Sequence, residues 1–227
     1  MSGNLYIVST PIGNLDDISF RALKILEEVD IIAAEDSRIS RRILEHYKIK
    51  NTFISYNNYN ENKKYLHLID ILKDNKNIAL VSDAGTPCIS DPGYKIVNAA
   101  KIEGINVITI PGPSSVISAL SISGLPSDKF YFEGFLPKKK GRNKRFSYLE
   151  ELDCTIIIFE SPRRLIKTLN DIFDVLGNRV VAVCKELTKL HEDVKIGYLD
   201  KMIPKEDIPL KGEYIILIAN KKYRIDE

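Results

Sequence analysis

The chain alternates short apolar runs with segments of helical periodicity, and this alternation constrains its fold more than any other feature. Leu5–Val8, Ile31–Ala34, Thr52–Ser55, Ile78–Val81 and Val107–Ile110 are four-residue runs. Between them, spacings such as Ile18, Ala22, Leu23, Ile25 and Leu26 predict helices, with others near 37–47, 61–73 and 94–103. The runs are apolar almost throughout instead of alternating with polar residues. That texture suits strands covered by helices on both faces, and hence a mostly parallel sheet. After Pro111-Gly112-Pro113 the pattern changes. A helix near 114–123 precedes Phe130-Tyr131-Phe132, Thr155–Phe159 and a helix opened by Ser161-Pro162, a capping residue with proline in the first turn. Val180–Val183, Val194–Ile196 and Tyr214–Ile218 then follow with little helix between them, so the second sheet is expected to be mixed. The reading is two α/β domains, residues 1–113 and 114–227.

Composition narrows the class. With 227 residues, 44% hydrophobic and 28% charged, the chain has ordinary globular usage, which argues against disordered and fibrous proteins. Cys88, Cys154 and Cys184 are an odd count without close spacing, so neither a disulfide framework nor a cysteine-rich zinc site is expected; Cys154 and Cys184 read as buried structural thiols. His46, His67 and His191 lack metal-ligand spacing, and no metal is expected. The amino terminus does not resemble a signal peptide. The longest uncharged stretch, 104–127, is broken by three prolines and two glycines, so a soluble cytoplasmic protein is expected. Net charge is only +2, yet Lys138, Lys139, Lys140, Arg142, Lys144 and Arg145 put six positive charges into eight residues. Such a block reads either as a solvated loop or as an arm contacting RNA phosphates.

Three loops come directly after predicted strand ends, where open α/β sheets bind ligands. They contain Pro11 and Gly13; Asp83, Gly85, Thr86 and Asp91; and Pro111, Gly112, Ser114 and Ser115. Glycine allows close backbone approach and proline stiffens each loop. The phosphate loop of NTPases, the dinucleotide fingerprint and the G-x-S-x-G nucleophile pattern are all missing from the sequence. Asp83 and Asp91 either cap the adjoining turns or accept hydrogen bonds from a ligand. Of Ser114 and Ser115, helix capping accounts for one.

LYIVSTPIGNL (5–15), EDSR (35–38), VSDAGTPCISDPG (81–93), PGPSS (111–115), GLP (124–126), FEGFLP (132–137), ESPRR (160–164) and KELTK (185–189) together resemble one family. It is the ribosomal RNA small subunit methyltransferase I family, within the tetrapyrrole-methylase-like superfamily. The resemblance implies S-adenosylmethionine as cofactor, held in a cleft between two α/β domains by the three loops. It further implies a homodimer that methylates the ribose 2′-oxygen of a decoding-centre cytidine in the 16S rRNA of the small ribosomal subunit. Longer members of the family continue into a helical tail beyond the strand at Tyr214.

Methyl transfer from a sulfonium is a direct displacement, which asks the enzyme mainly to align oxygen, carbon and sulfur. A ribose hydroxyl is weakly acidic, so a base or a stabiliser of the developing alkoxide would help. Glu160, Arg163, Lys185 and Glu186 sit on second-domain loops and are the candidates. Arg163 opposes the dipole of the helix it opens, which suggests a role beyond stability, though a salt bridge to a nearby acid would also account for it. Two other readings compete: a C-methyltransferase acting on a tetrapyrrole, and a non-enzymatic ribosome-binding module. The basic block suits RNA better than a carboxylated macrocycle.

Overall fold

The computed structural model describes residues 2–203 and 211–225. The backbone divides into two compact units, Met1–Ser114 and Ser115–Glu227. In the first unit, β1 (Leu5–Val8), β2 (Ile31–Ala34), β3 (Phe53–Ser55), β4 (Ile78–Val81) and β5 (Val107–Ile110) form a parallel sheet in the order β3-β2-β4-β1-β5. Helices α1 (Phe20–Glu28) and α2 (Ser37–His46) lie on one face, where Ala22, Leu26, Ile43 and Leu44 bury against Val8, Ile32, Val81 and Ile110. On the other face, α3 (Glu61–Lys73) and α4 (Tyr94–Ile102) bury Leu68, Leu72, Ile96 and Ala100 against Leu5, Ala33, Ile78 and Leu80. Burial on both faces explains the unbroken apolar runs. The crossovers step outward from β1 through β2 to β3, then back through β4 to β5. That reversal brings the carboxyl ends of β2, β4 and β1 side by side, where doubly wound sheets open a crevice.

Local chemistry sets the helix starts. The Ser19 hydroxyl accepts from Ala22 N (3.1 Å) ahead of α1, and Asp36 Oδ1 accepts from Arg38 N (2.9 Å) ahead of α2.

The second unit contains α5 (Ser115–Ile122), β6 (Phe130–Phe135), α6 (Arg142–Glu150), β7 (Thr155–Glu160), α7 (Pro162–Leu176), β8 (Val180–Lys185), β9 (Asp193–Tyr198), α8 (Leu199–Met202) and β10 (Tyr214–Ile218). Its sheet runs β6-β7-β10-β8-β9 and is mixed: β6 and β7 are parallel, and the other pairs are antiparallel. Leu165, Leu169, Ile172 and Leu176 form the stripe by which α7 packs on Ile156, Ile158 and Ile216. Because β7 and β8 both run antiparallel to β10, they point the same way, and Tyr214 lies opposite both Glu160 and Lys185. The carboxyl ends of β6, β7 and β8 therefore share one edge.

Three local expectations are corrected. The segment 138–145 is a loop only to Gly141, whose left-handed backbone (φ +84°) starts α6 at Arg142. Cys154 is half-buried; Cys184 alone of the pair is a core thiol, pushed up to about 12 by burial and then by Glu192. Ser161 has the backbone of a cap, but its side chain caps nothing. Among the described residues, no helix is long and apolar enough to cross a membrane, and no cluster of His, Cys, Asp and Glu has metal-binding geometry.

Candidate active site

In the first unit, the three glycine- and proline-containing loops are joined by hydrogen bonds. Thr10 and Gly85 exchange backbone bonds (2.9 and 3.0 Å), and Thr10 Oγ1 donates to Ser82 O (3.1 Å). Ser9 Oγ and Thr86 Oγ1 share a hydrogen bond of 2.9 Å, and Thr86 Oγ1 reaches Pro113 O at 3.2 Å. Ser9 N donates to Ile110 O (3.3 Å). Two glycines permit this arrangement for different reasons. Gly85 has φ +81°, a conformation costly for a residue with a Cβ. At Gly112 a Cβ would sit 3.1 Å from that of Ser9, so loop contact, not φ, requires glycine there. Pro11 is buried within the first loop, whereas Gly13, Pro111 and Gly112 are exposed and Ser114 is half-buried. Ser115 is the first residue of α5, in the second unit.

Carboxylates line this edge. Asp83, after β4, accepts from Asp36 N at 2.9 Å, so it ties the β4 loop to the β2 loop instead of capping its own turn. Burial, then the charge of Asp83, raises Glu35; burial raises Asp83 as well. Asp91 is pushed up to about 6, first by burial and then by Glu35, with the Ser82 hydroxyl opposing. The loop leading to it holds Cys88 and Ser90 in left-handed conformations (φ +72° and +65°), a strain on the order of 1–3 kcal/mol each. Three partly desolvated acids gathered at one strand edge suit a cation. Glu35 was not among the site residues expected from sequence. Its signal was an acid directly after a buried strand, whose neighbour in the sheet only the strand order reveals.

In the second unit the expected catalytic residues separate by role. Glu160, which ends β7, has a wholly buried side chain. Its Oε1 accepts from Ser161 N (2.7 Å) and pairs with Arg164 Nε (3.3 Å), and its Oε2 accepts from Thr168 Oγ1 (2.6 Å). Both oxygens are occupied, so Glu160 anchors the start of α7 within its own unit. Glu186 is likewise engaged, accepting from Glu213 N (2.8 Å) and from Lys189 Nζ (3.1 Å). Burial pushes its carboxyl up, but the Lys189 ammonium and the Glu213 amide outweigh this and hold it below the ordinary range. Arg163 is exposed in the first turn of α7, and Lys185 is half-buried at the end of β8. Neither forms an ion pair among the described residues.

The six-residue basic block divides too. Lys138, Lys139, Lys140 and Lys144 are exposed. Arg142 is buried: Nε meets Asp171 Oδ2 (2.7 Å), Nη2 meets Thr168 Oγ1 (2.8 Å) and Nη1 meets Pro137 O (3.1 Å). Arg145 pairs with Glu133 (2.5 Å), hydrogen-bonds Tyr131 and stacks over Tyr148 (4.7 Å). The two arginines hold their own unit together and are not free for phosphate. What remains at the edge formed by β6, β7 and β8 is Lys138–Lys140, Arg163 and Lys185, a cationic rim.

Residues 4–203 match the family Tetrapyrrole (Corrin/Porphyrin) Methylases. The chain is 45% identical to the ribosomal RNA small subunit methyltransferase I of Thermotoga maritima, covering 97% of this chain and 100% of that protein. It is 44% identical to the protein of that name from Halalkalibacterium halodurans, over 99% of this chain and 78% of that one. Among solved structures, diphthine synthase aligns with a TM-score of 0.74 at 15% identity, covering 96% of this chain and 90% of that one. The uroporphyrin-III C-methyltransferase of Thermus thermophilus, complexed with S-adenosyl homocysteine, aligns at 0.67 and 14% identity, covering 96% and 97%.

Proposed function

Because the chain belongs to the ribosomal RNA small subunit methyltransferase I family, within the tetrapyrrole methylases, we propose that it methylates 16S rRNA, using S-adenosylmethionine. The acceptor in this proposal is the ribose 2′-oxygen of a cytidine in the decoding centre, and the enzyme works in the cytoplasm on the small ribosomal subunit as a homodimer. The observation that carries the reading is the hydrogen-bonded triplet of loops at 9–14, 82–91 and 111–115, beside the acids Glu35, Asp83 and Asp91.

The residues present suit the cofactor. S-adenosylmethionine carries an ammonium and a sulfonium, and three partly desolvated carboxylates favour a cation. The hydroxyls of Ser9 and Thr86 and the exposed backbone at Gly112 offer partners for its polar groups. When bound, the cofactor supplies an electrophilic methyl group. In the second unit, Lys185 and Arg163 offer positive charge to the phosphates of the RNA. Lys138–Lys140 add phosphate contacts without reading bases.

The test is to incubate purified small subunits with the protein and methyl-labelled S-adenosylmethionine, then map the labelled nucleotide. Label on the 2′-oxygen of one decoding-centre cytidine is expected. Label on a base, or none in rRNA, would overturn the proposal.

A further inference from the structure

The loop carrying Lys138–Lys140 is held by its own backbone. Arg164 Nη2 donates to Leu136 O (2.8 Å), Arg142 Nη1 to Pro137 O (3.1 Å) and Arg142 N to Lys139 O (3.2 Å). These two arginines meet the buried Glu160 by different routes. Arg164 pairs with it directly at 3.3 Å, whereas Arg142 reaches it through one atom, Thr168 Oγ1. Thr168 lies on the inner side of α7 and is wholly buried. Its hydroxyl proton goes to Glu160 Oε2 (2.6 Å), and its oxygen receives Arg142 Nη2 (2.8 Å). Glu160 in turn holds Ser161 N (2.7 Å), two residues before Arg163. The buried Thr168 hydroxyl thus couples the lysine loop, through Arg142, to the helix start that bears Arg163, beside the direct link through Arg164.

We propose that Thr168 is a positioning residue for RNA binding: through Arg142 and Glu160 it keeps Lys138–Lys140 and Arg163 at a fixed separation, ready for successive phosphates. The inference rests on the reading of this rim as the RNA-binding surface. A loop ordered before binding spares the entropy of ordering it on binding, which raises affinity without adding a contact. Network and charge therefore leave different signatures. Removing lysines reduces the number of counterions released and so flattens the salt dependence of binding. Loosening the loop leaves that number unchanged and weakens binding equally at every salt concentration.

The experiment is a salt titration of binding to purified small ribosomal subunits for wild type, Thr168→Val, Thr168→Ser and a variant with Lys138, Lys139 and Lys140 changed to Gln. Thr168→Val is expected to bind about tenfold more weakly on a line parallel to wild type, the cost of ordering one or two side chains on binding. Its affinity for S-adenosylmethionine should be unchanged, and Thr168→Ser should restore wild-type binding. The lysine variant should lose slope, by roughly 0.7–0.9 per lost contact. If Thr168→Val lowers only the melting temperature while the lysine variant flattens, the positioning role is overturned and the RNA surface stands. If the lysine variant matches wild type, the RNA surface falls and the positioning role with it. Should Thr168→Val fail to fold, Arg142→Lys decides by the same criterion, since a lysine cannot serve Asp171, Thr168 and Pro137 at once.

Discussion

Replacing Asp91 with asparagine should stabilise the protein and weaken it as a cofactor-binding enzyme. In the folded state the Asp91 carboxyl is pushed from its ordinary 3.8 up to about 6 by burial, then by the charge of Glu35. That displacement corresponds to about 3 kcal/mol at full desolvation. The side chain is only half-buried, so solvent screening lowers the figure to about 1–2 kcal/mol. Between pH 3.8 and about 6 the native state holds a proton that the unfolded chain has released. Native stability therefore falls as the pH rises through this window. Asparagine carries no such charge, so the variant's advantage should be complete above about pH 6, shrink as the pH falls and vanish below 3.8. If Asp91 meets a cationic group of S-adenosylmethionine, loss of that charge-assisted bond costs about 1.5–3 kcal/mol, or roughly 10- to 100-fold in affinity. Urea unfolding at pH 7.5 and pH 4, with calorimetric titration of the cofactor at pH 7.5, measures both effects. A variant less stable at pH 7.5 would mean that Asp91 caps its turn after all. Unchanged cofactor affinity would remove Asp91 from the site.

Gly112→Ala should weaken S-adenosylmethionine binding more than it lowers the melting temperature, because the new Cβ lies 3.1 Å from that of Ser9 and pushes the loops at 9–14 and 111–115 apart; calorimetry beside a thermal melt compares the two. Glu160→Gln should cost about 3–5 kcal/mol of stability, as removal of one member of a buried ion pair does, while kcat at saturating subunit stays within about threefold. A fall of a hundredfold or more in kcat would restore Glu160 as a base. Arg163→Gln should raise KM for the small subunit and leave the melting temperature unchanged, since its guanidinium forms no ion pair among the described residues; steady-state kinetics would show an effect confined to stability if the arginine were structural.

The first unit was legible because its inner strands are covered by helices on both faces and its helices face a sheet, so the apolar runs and helical spacings mark the elements directly. The loops at 9–14, 82–91 and 111–115 were legible for a related reason: in each, Gly and Pro break off an apolar run at the end of a buried strand. Charge was far less legible. Lys138 and Arg142 look alike in a basic run, yet Gly141 turns the chain into a helix between them and sends Arg142 inward to Asp171 and Thr168. Glu160 reads as a free acid at a strand end, but Arg164, one turn on, faces back toward it and Thr168 closes the other oxygen. Glu35 joins Asp83 and Asp91 only because β2 lies beside β4, a consequence of a strand order that no local spacing encodes.

The most direct measurement is the structure of the protein with bound S-adenosylhomocysteine, the product that keeps the cofactor's adenosine and amino-acid ends. The expected result is a ligand in contact with the loops at 9–14, 82–91 and 111–115, its ammonium within hydrogen-bonding distance of at least one of Glu35, Asp83 and Asp91. A ligand bound away from all three loops would contradict the assignment of this strand edge as the cofactor site.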